Sequence, residues 1–304
     1  MVIHVAVLLG LPFLLTGIIN RVKAIWGGRK GPRLSQGCFD VLRLLRKQPV
    51  YSSVTTPVFK LAPWVILAST LVTGLFVPLL RDTAPLSMNW DVVAVLYLWG
   101  LGRVAMMLAA LDTGSAFEGM GASREATFGA LVEPAIFLAV GALLATSGHT
   151  RLAELVHVGV MAPGRVLAAV GALVALALAL LVEASRVPVD DPNTHLELTM
   201  IHEVMILDHS GPDLAALQVA SAMKMTLFAM LIAGILNPLP ASVGPLAVAA
   251  VNVALTLVIA IAVGLVESLI ARLRMVSVPQ LIAASMVAAT IAVLGTAWFA
   301  GGAR

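Results

Sequence analysis

The stretch GRVLAAVGALVALALALLVEASRVPVDDP, residues 164–192, decides the fold. Between Arg165 and Glu183 it carries no charge. A helix rises 1.5 Å per residue, so about twenty apolar residues cross the hydrocarbon core of a bilayer. The composition then changes at once, with Glu183, Arg186, Pro188, Asp190, Asp191 and Pro192 following closely. An apolar rod ending in a dense polar segment reads as a membrane span that delivers its chemistry to one surface.

Seven further apolar stretches read the same way, at about 2–20, 61–80, 91–111, 131–147, 221–237, 244–270 and 280–300. The whole chain agrees. Of 304 residues, 60% are hydrophobic and 12% charged, with a mean hydropathy of +1.00. A soluble domain carries about 25% charged residues. The predicted fold is therefore all-α: a polytopic integral membrane protein with about eight transmembrane helices, forming a single membrane domain over 1–304. The apolar N-terminus has its first basic residues, Arg21 and Lys23, after the run, whereas a signal peptide has them before it. A retained first span is expected.

The net charge is +3 and the pI about 9.4. The basic residues flank the apolar runs, so they report orientation in the membrane, and no nucleic acid partner is expected. One side carries fourteen Lys and Arg, nine of them in loop 20–60, against four on the other. This asymmetry predicts cytoplasmic loops 20–60, 112–130 and 184–220, with both termini on the non-cytoplasmic side. The one cysteine, Cys38, excludes an internal disulfide and a four-cysteine iron–sulfur cluster held by this chain alone.

Loop 20–60 breaks at Gly27, Gly28, Gly31 and Pro32 and then spaces Phe39, Leu42 and Leu45 among Arg43, Arg46 and Lys47. This is an amphipathic helix for the membrane surface, on phospholipid phosphates, or for the underside of a partner. Loop 112–130 holds Gly114, Gly119 and Gly121, which would let it fold tightly on another surface. Ser123 and Glu125 suit the start of the fourth span. Without Gly-Lys-Ser/Thr it is no phosphate loop. In loop 184–220 a helix is predicted from about 193, with Thr194 and Glu197 as a capping box and Leu196, Met200 and Val204 as an apolar row. His202-Glu203 starts like a zinc-protease helix, but Ile206 stands where the second histidine belongs, and His195, Glu197, His202 and Asp208 match no ligand spacing. No metal is expected, and hydrogen bonding to a partner suits these histidines.

Charges at membrane depth are costly, about 3 kcal/mol or more each, and face inward and pair. Glu133, Glu183, Glu267, Arg103 and Lys224 all lie in or beside spans. Two uses stay open: internal ion pairs, with Arg103 neutralising an acid, or a proton-conducting chain of carboxylates and waters. A seventh-span acid, Glu267, would also pair with Arg272 or Arg274.

Three motifs carry a resemblance along the whole chain. They are GRKGPRLSQ at 28–36, DTGSAFEGMGASRE at 112–125, and E-x-x-R-x-P-x-D-D-P at 183–192 running into THLELTMIHEVMILDHSGPDL at 194–214. The chain resembles the membrane subunit shared by respiratory complex I (its subunit 1, or H) and the group 4 membrane-bound nickel–iron hydrogenases. It looks nearest to the formate hydrogenlyase and hydrogenase 4 anchors.

That resemblance implies a non-catalytic subunit of an oxidoreductase complex in the inner membrane of a prokaryote. It implies three partners: a hydrogenase large subunit, an iron–sulfur small subunit and antiporter-like membrane subunits. Iron–sulfur clusters and a nickel–iron site would lie in those partners, with no cofactor in this chain. It carries an acidic proton or sodium path onto Glu133, Glu183, Asp190, Asp191, Glu197, Glu203, Asp208, Asp213 and Glu267. It carries a partner interface onto Arg29, Arg33, Arg186, His195 and His202. Two departures from complex I, Arg33 after Gly31-Pro32 and the His195–Met200 run in place of acids, put quinone binding in doubt. A quinone-chamber subunit of a complex I-type dehydrogenase and a free-standing ion transporter are the alternatives. The second lacks the repeated halves that transporters often show.

Overall fold

A computed structural model describes residues 2–78, 84–155, 165–190, 200–239 and 243–302. It is helical, and no strand occurs among the described residues. Among the described residues eight helices are long and apolar enough to cross a membrane. They are α1 (Val2–Trp26), α3 (Pro57–Phe76), α4 (Asp91–Asp112), α5 (Ala116–Ser147), α7 (Val166–Glu183), α8 (Gly211–Leu236), α9 (Pro245–Leu269) and α10 (Val278–Gly302). Two short helices, α2 (Gln36–Leu45) and α6 (Leu152–Leu155), lie outside the spans.

Helix α8 is the axis of the bundle. It packs on α1, α2, α3, α7 and α9. In its most apolar window 78% of residues are buried, against 33–50% in the other spans. A helix that is apolar all round has no polar face to offer water, so it goes to the centre. Around it α3 pairs with α4, and α5, α7 and α10 form a second packed group. Small residues set the close approaches: a side chain at Gly171 of α7 would meet the Ala288 carbonyl of α10 at 2.8 Å. Helices in lipid associate through such small contacts, since apolar surface alone gains nothing there.

One end of the bundle is laced together by polar contacts. The Val50 N–H donates to Ser210 Oγ at 2.8 Å, and the Tyr51 hydroxyl to Asp213 Oδ2 at 2.8 Å. Thr56 caps α3 by accepting from Val58 N, and donates its own N–H and hydroxyl to Asp112 at the end of α4. Arg124 donates to the Met200 carbonyl at 2.7 Å, and the Asp208 N–H to Glu118 Oε1. Leu273 N–H donates to the Pro188 carbonyl. Segments 27–56, 184–190 and 200–210, the α4–α5 turn and the 270–277 connection thus form one connected surface. At the opposite end, the ties among the described residues include Leu152 N–H to Asp91 and Trp90 N–H to the Thr150 carbonyl.

Two expected local structures differ. The glycine-rich segment 112–130 is a short turn followed by helix: α5 starts at Ala116 after Ser115. Gly119 and Gly121 are helical, and Ser123 caps nothing. Gly121 serves close packing, because a Cβ there would collide with Val204 and Met205. The helix predicted from about 193 falls partly on 191–199, outside the described residues. From Met200 onward the chain is a turn and a 3₁₀ segment, Glu203–Ile206. The Asp190 carboxylate takes the N–H groups of Ile201 and His202, at 3.0 Å each, which a continuing helix would have used. The apolar row survives the change: Met200 and Val204 are buried against Met106, Ala110 and Ala122.

Candidate functional site

Arg103, buried in the middle of α4, is the centre of the site. Its guanidinium has a flat fork of donors that can serve several carboxylates at once, and it does so here. Nε donates to Glu125 Oε1 at 3.1 Å, Nη1 to Glu133 Oε1 and Nη2 to Glu183 Oε1. Glu125 and Glu133 come from α5, and Glu183 is the last residue of α7. Gly129 of α5 makes room for the guanidinium, since a Cβ there would stand 2.6 Å from Nη1. Lys224 of α8 approaches the other oxygen of Glu183 at 2.5 Å, as an ion pair without an aligned hydrogen bond. Four helices therefore converge on two cations and three carboxylates.

Beside this cluster lies a cavity of about 50 Å³. Arg103, Glu125, Glu183, His202 and Lys224 line it, with Ser69, Thr70 and Ser221 hydroxyls and Trp99. That volume holds roughly three to five waters. The lining is polar enough to bind them, and the buried Trp99 indole N–H has no acceptor among the described residues. On the other side of Arg103 a lateral groove of about 560 Å³ runs between α4 and α5, lined by Tyr97, Leu101, Met107 and Glu133. Arg103 borders both, and the Glu133 side chain is 42% exposed toward the groove. The guanidinium thus separates an inner polar cavity from an outward-facing carboxylate.

A second cluster lies where α1, α9 and the loop after α7 meet. Glu267 of α9 faces Lys23 Nζ at 2.7 Å and Arg186 Nη1 at 3.5 Å. Next to it Asp190 accepts from Arg272 at 3.1 Å. The expected pairing of Glu267 with Arg272 or Arg274 is not found. Arg272 instead serves Asp190, and Lys23 reaches Glu267 because α1 and α9 approach closely, with Gly264 set against Val22.

Over residues 1–298 the chain matches the family described as NADH dehydrogenase. The chain belongs to that family. Within it, hydrogenase-4 component C of Escherichia coli (strain K12) is 33% identical over 232 residues, 76% of this chain and 73% of that one. Formate hydrogenlyase subunit 4 of the same organism is 29% identical over 285 residues, 92% of each. An NADH-quinone oxidoreductase subunit of Koribacter versatilis (strain Ellin345) is 29% identical over 56% of this chain and 43% of that one. A solved chain of the membrane-bound sulfane sulfur reductase, an archaeal respiratory membrane complex, has the same fold, with a TM-score of 0.80, 20% identity and 97% of both chains covered. This member of the NADH dehydrogenase family is a multi-pass membrane protein.

The acids of the expected path do not gather in one place. Glu133 and Glu183 meet at Arg103. Asp190 is buried with both oxygens engaged, and so ties Ile201 and His202 to Arg272. Asp213 is buried beneath Tyr51, and Glu267 belongs to the second cluster. Asp208 is exposed and Glu203 half-buried. Asp191, His195 and Glu197 lie outside the described residues. Of the expected interface residues, Arg29 and Arg33 are exposed, Arg186 is turned inward to Glu267, and His202 lines the cavity.

Glu125 and Lys224 join the site although neither stood among the expected path residues. In the sequence, Ser123 suggests a helix start and so hides Glu125 as a mid-helix residue. A lysine and an arginine both at membrane depth were the available signal.

Above the cluster sits a buried polar knot. His209 stacks face to face on Phe59 at 3.9 Å, and among the described residues neither ring nitrogen has a hydrogen-bond partner. Burial holds its pKa down to about 4, against the opposing pull of Asp213 and Asp208. The Tyr51 hydroxyl is pushed up to about 12, by desolvation first and then by Asp213. Among the described residues no group of three or more His, Cys, Asp and Glu side chains is placed to hold a metal ion.

Proposed function

We propose that this chain is the membrane subunit of an energy-converting hydrogenase-type complex in the inner membrane of a prokaryote. Its laced end is the cytoplasmic face and docks a peripheral arm made of a nickel–iron large subunit and an iron–sulfur small subunit. Both termini then lie on the opposite side. The cavity at Arg103 begins the ion path, and the lateral α4–α5 groove passes it to an antiporter-like neighbour. The observation that carries this reading is the junction of three carboxylates, two cations and a water-sized cavity directly beneath the laced surface. An exposed carboxylate, Glu133, at membrane depth argues for a protein neighbour there, because a charge facing lipid is costly. Redox cofactors belong to the arm. Arg29 and the polar loops offer the arm its contacts.

The relatives named hydrogenase and formate hydrogenlyase subunits support the hydrogenase branch. The cavity also bears on the quinone alternative: about 50 Å³ is small against the roughly 300–1,000 Å³ of small-molecule sites.

The test is the native complex reconstituted in proteoliposomes, with redox turnover and ion uptake followed together. Glu183→Gln should leave the arm attached and turnover present while abolishing ion uptake. An assembled Glu183→Gln complex with normal uptake refutes the path. Purification of the chain as a stable monomer that transports ions unaided refutes the subunit reading, and a quinone-site inhibitor that stops turnover moves it to the complex I branch.

A further inference from the structure

We infer that the flank of α1 that meets α2 is a binding site for one anionic phospholipid, independent of the arm and of the ion path. A groove of about 420 Å³ runs there. Gly10, Phe13, Leu14 and Leu34 form its apolar part, and Arg21 and Arg33 its polar end. No acidic residue lines it, and neither arginine makes an ion pair among the described residues.

Glycine contacts hold the two arginines at the same end of the groove. A Cβ on Gly17 would run into the Leu34 backbone, so the 31–35 segment lies directly on α1. Gly31 packs on Ala24 and on the Arg21 Cα, with a Cβ there 2.8 Å from Ala24 Cβ. The segment carrying Arg33 is therefore fixed beside the helix carrying Arg21. Two like charges kept together without a counter-charge favour a bound anion.

The groove's length identifies the anion's other half. Gly10 is eleven residues before Arg21, which is about 16 Å along a helix. Half the hydrocarbon core is about 15 Å. The groove thus reaches from headgroup level to the bilayer midplane, the span of one acyl chain. A side chain on Gly10 would meet nothing within 4 Å, so the glycine keeps the apolar end of the groove open. A free phosphate would use only the arginines, whereas a phospholipid uses the whole groove.

The experiment is native mass spectrometry of the full chain in detergent, titrated with phosphatidylglycerol or phosphatidylcholine. Wild type should retain one phosphatidylglycerol and discriminate against phosphatidylcholine. Arg21→Gln with Arg33→Gln should weaken retention about thirty-fold, as two headgroup cations are lost. Gly10→Leu fills the apolar end with both cations intact and should weaken it as well. Gly10→Leu lies on the exposed flank and keeps the test alive if the arginine pair is needed for folding. Equal binding of both lipids overturns the site, as does unchanged retention in Gly10→Leu. So does a crosslink from Arg33 to an acidic segment of a peripheral subunit in the intact complex.

Discussion

The two buried charge clusters have opposite balances. At the cavity, Arg103 and Lys224 face Glu125, Glu133 and Glu183, so one negative charge is left over. At the α1–α9 junction, Lys23 and Arg186 face Glu267, so one positive charge is left over among the described residues. A cluster with a spare carboxylate beside a water-sized polar cavity can take up a cation and release it. A single acid between two bases has nothing to gain from a proton and acts as a clamp. The acids that looked alike in the sequence are therefore different in kind. On the proposed reading Glu183 is the transport candidate, and Glu267 the residue that holds α1, α9 and the 184–190 loop together.

The largest expected effect strikes the cavity cluster. Arg103→Met leaves three carboxylates around a buried hole, and breaking a buried pair this way costs about 3–5 kcal/mol. Thermal unfolding in detergent should show it, and adding Glu183→Gln to the same chain should return part of the loss. If the double variant is no more stable than Arg103→Met, the surplus negative charge is not what the arginine offsets.

A buried imidazole held neutral by burial, against the weaker pull of Asp213 and Asp208, completes the contrast. In the folded chain His209 takes a proton only below about pH 4. In the unfolded chain it does so below about pH 6.5. Between these values the unfolded state binds more protons, so stability falls as the pH drops through that window. The full difference is about 3 kcal/mol, at 1.36 kcal/mol per pH unit. His209→Phe keeps a ring on Phe59 and should flatten the slope. An unchanged difference between wild type and His209→Phe from pH 7 to pH 4 would show that the imidazole is not held neutral.

Glu267→Gln should cost less, about 2 kcal/mol, because it releases two cations of which Lys23 is 24% exposed and can turn to water. It should lower the melting temperature and leave coupled ion uptake intact. Uptake lost together with arm binding still normal would place Glu267 on the path and end the distinction between the clusters.

The eight spans were legible because hydropathy over twenty residues overwhelms local detail. Buried charge was legible too: Arg103 in mid-span had to find an acid. Which acid was not, since Arg103–Glu183 and Lys23–Glu267 join residues far apart in sequence and leave no local trace. The glycines of 112–130 misled for a related reason. Gly121 reads as freedom in one dimension, and in three dimensions it is the contact point of Val204. Glu125 was accordingly read as a first-turn residue when it lies well inside α5, one of three carboxylates on Arg103.

The smallest effect belongs to an exposed contact at the same end of the molecule. Thr56 Oγ1 accepts from Val58 N and donates to Asp112 Oδ2 at 2.9 Å, where water can replace either partner. Thr56→Ala should cost about 1 kcal/mol, as the loss of a helix cap does. The same measurement sets the scale for the buried clusters. If Thr56→Ala destabilised the chain as much as Arg103→Met, the laced surface would be holding the cavity together, and the charge balance within it would be a consequence of that surface. A loss several times smaller puts the organising interaction at Arg103, with the loops arranged over a core that the guanidinium has already fixed.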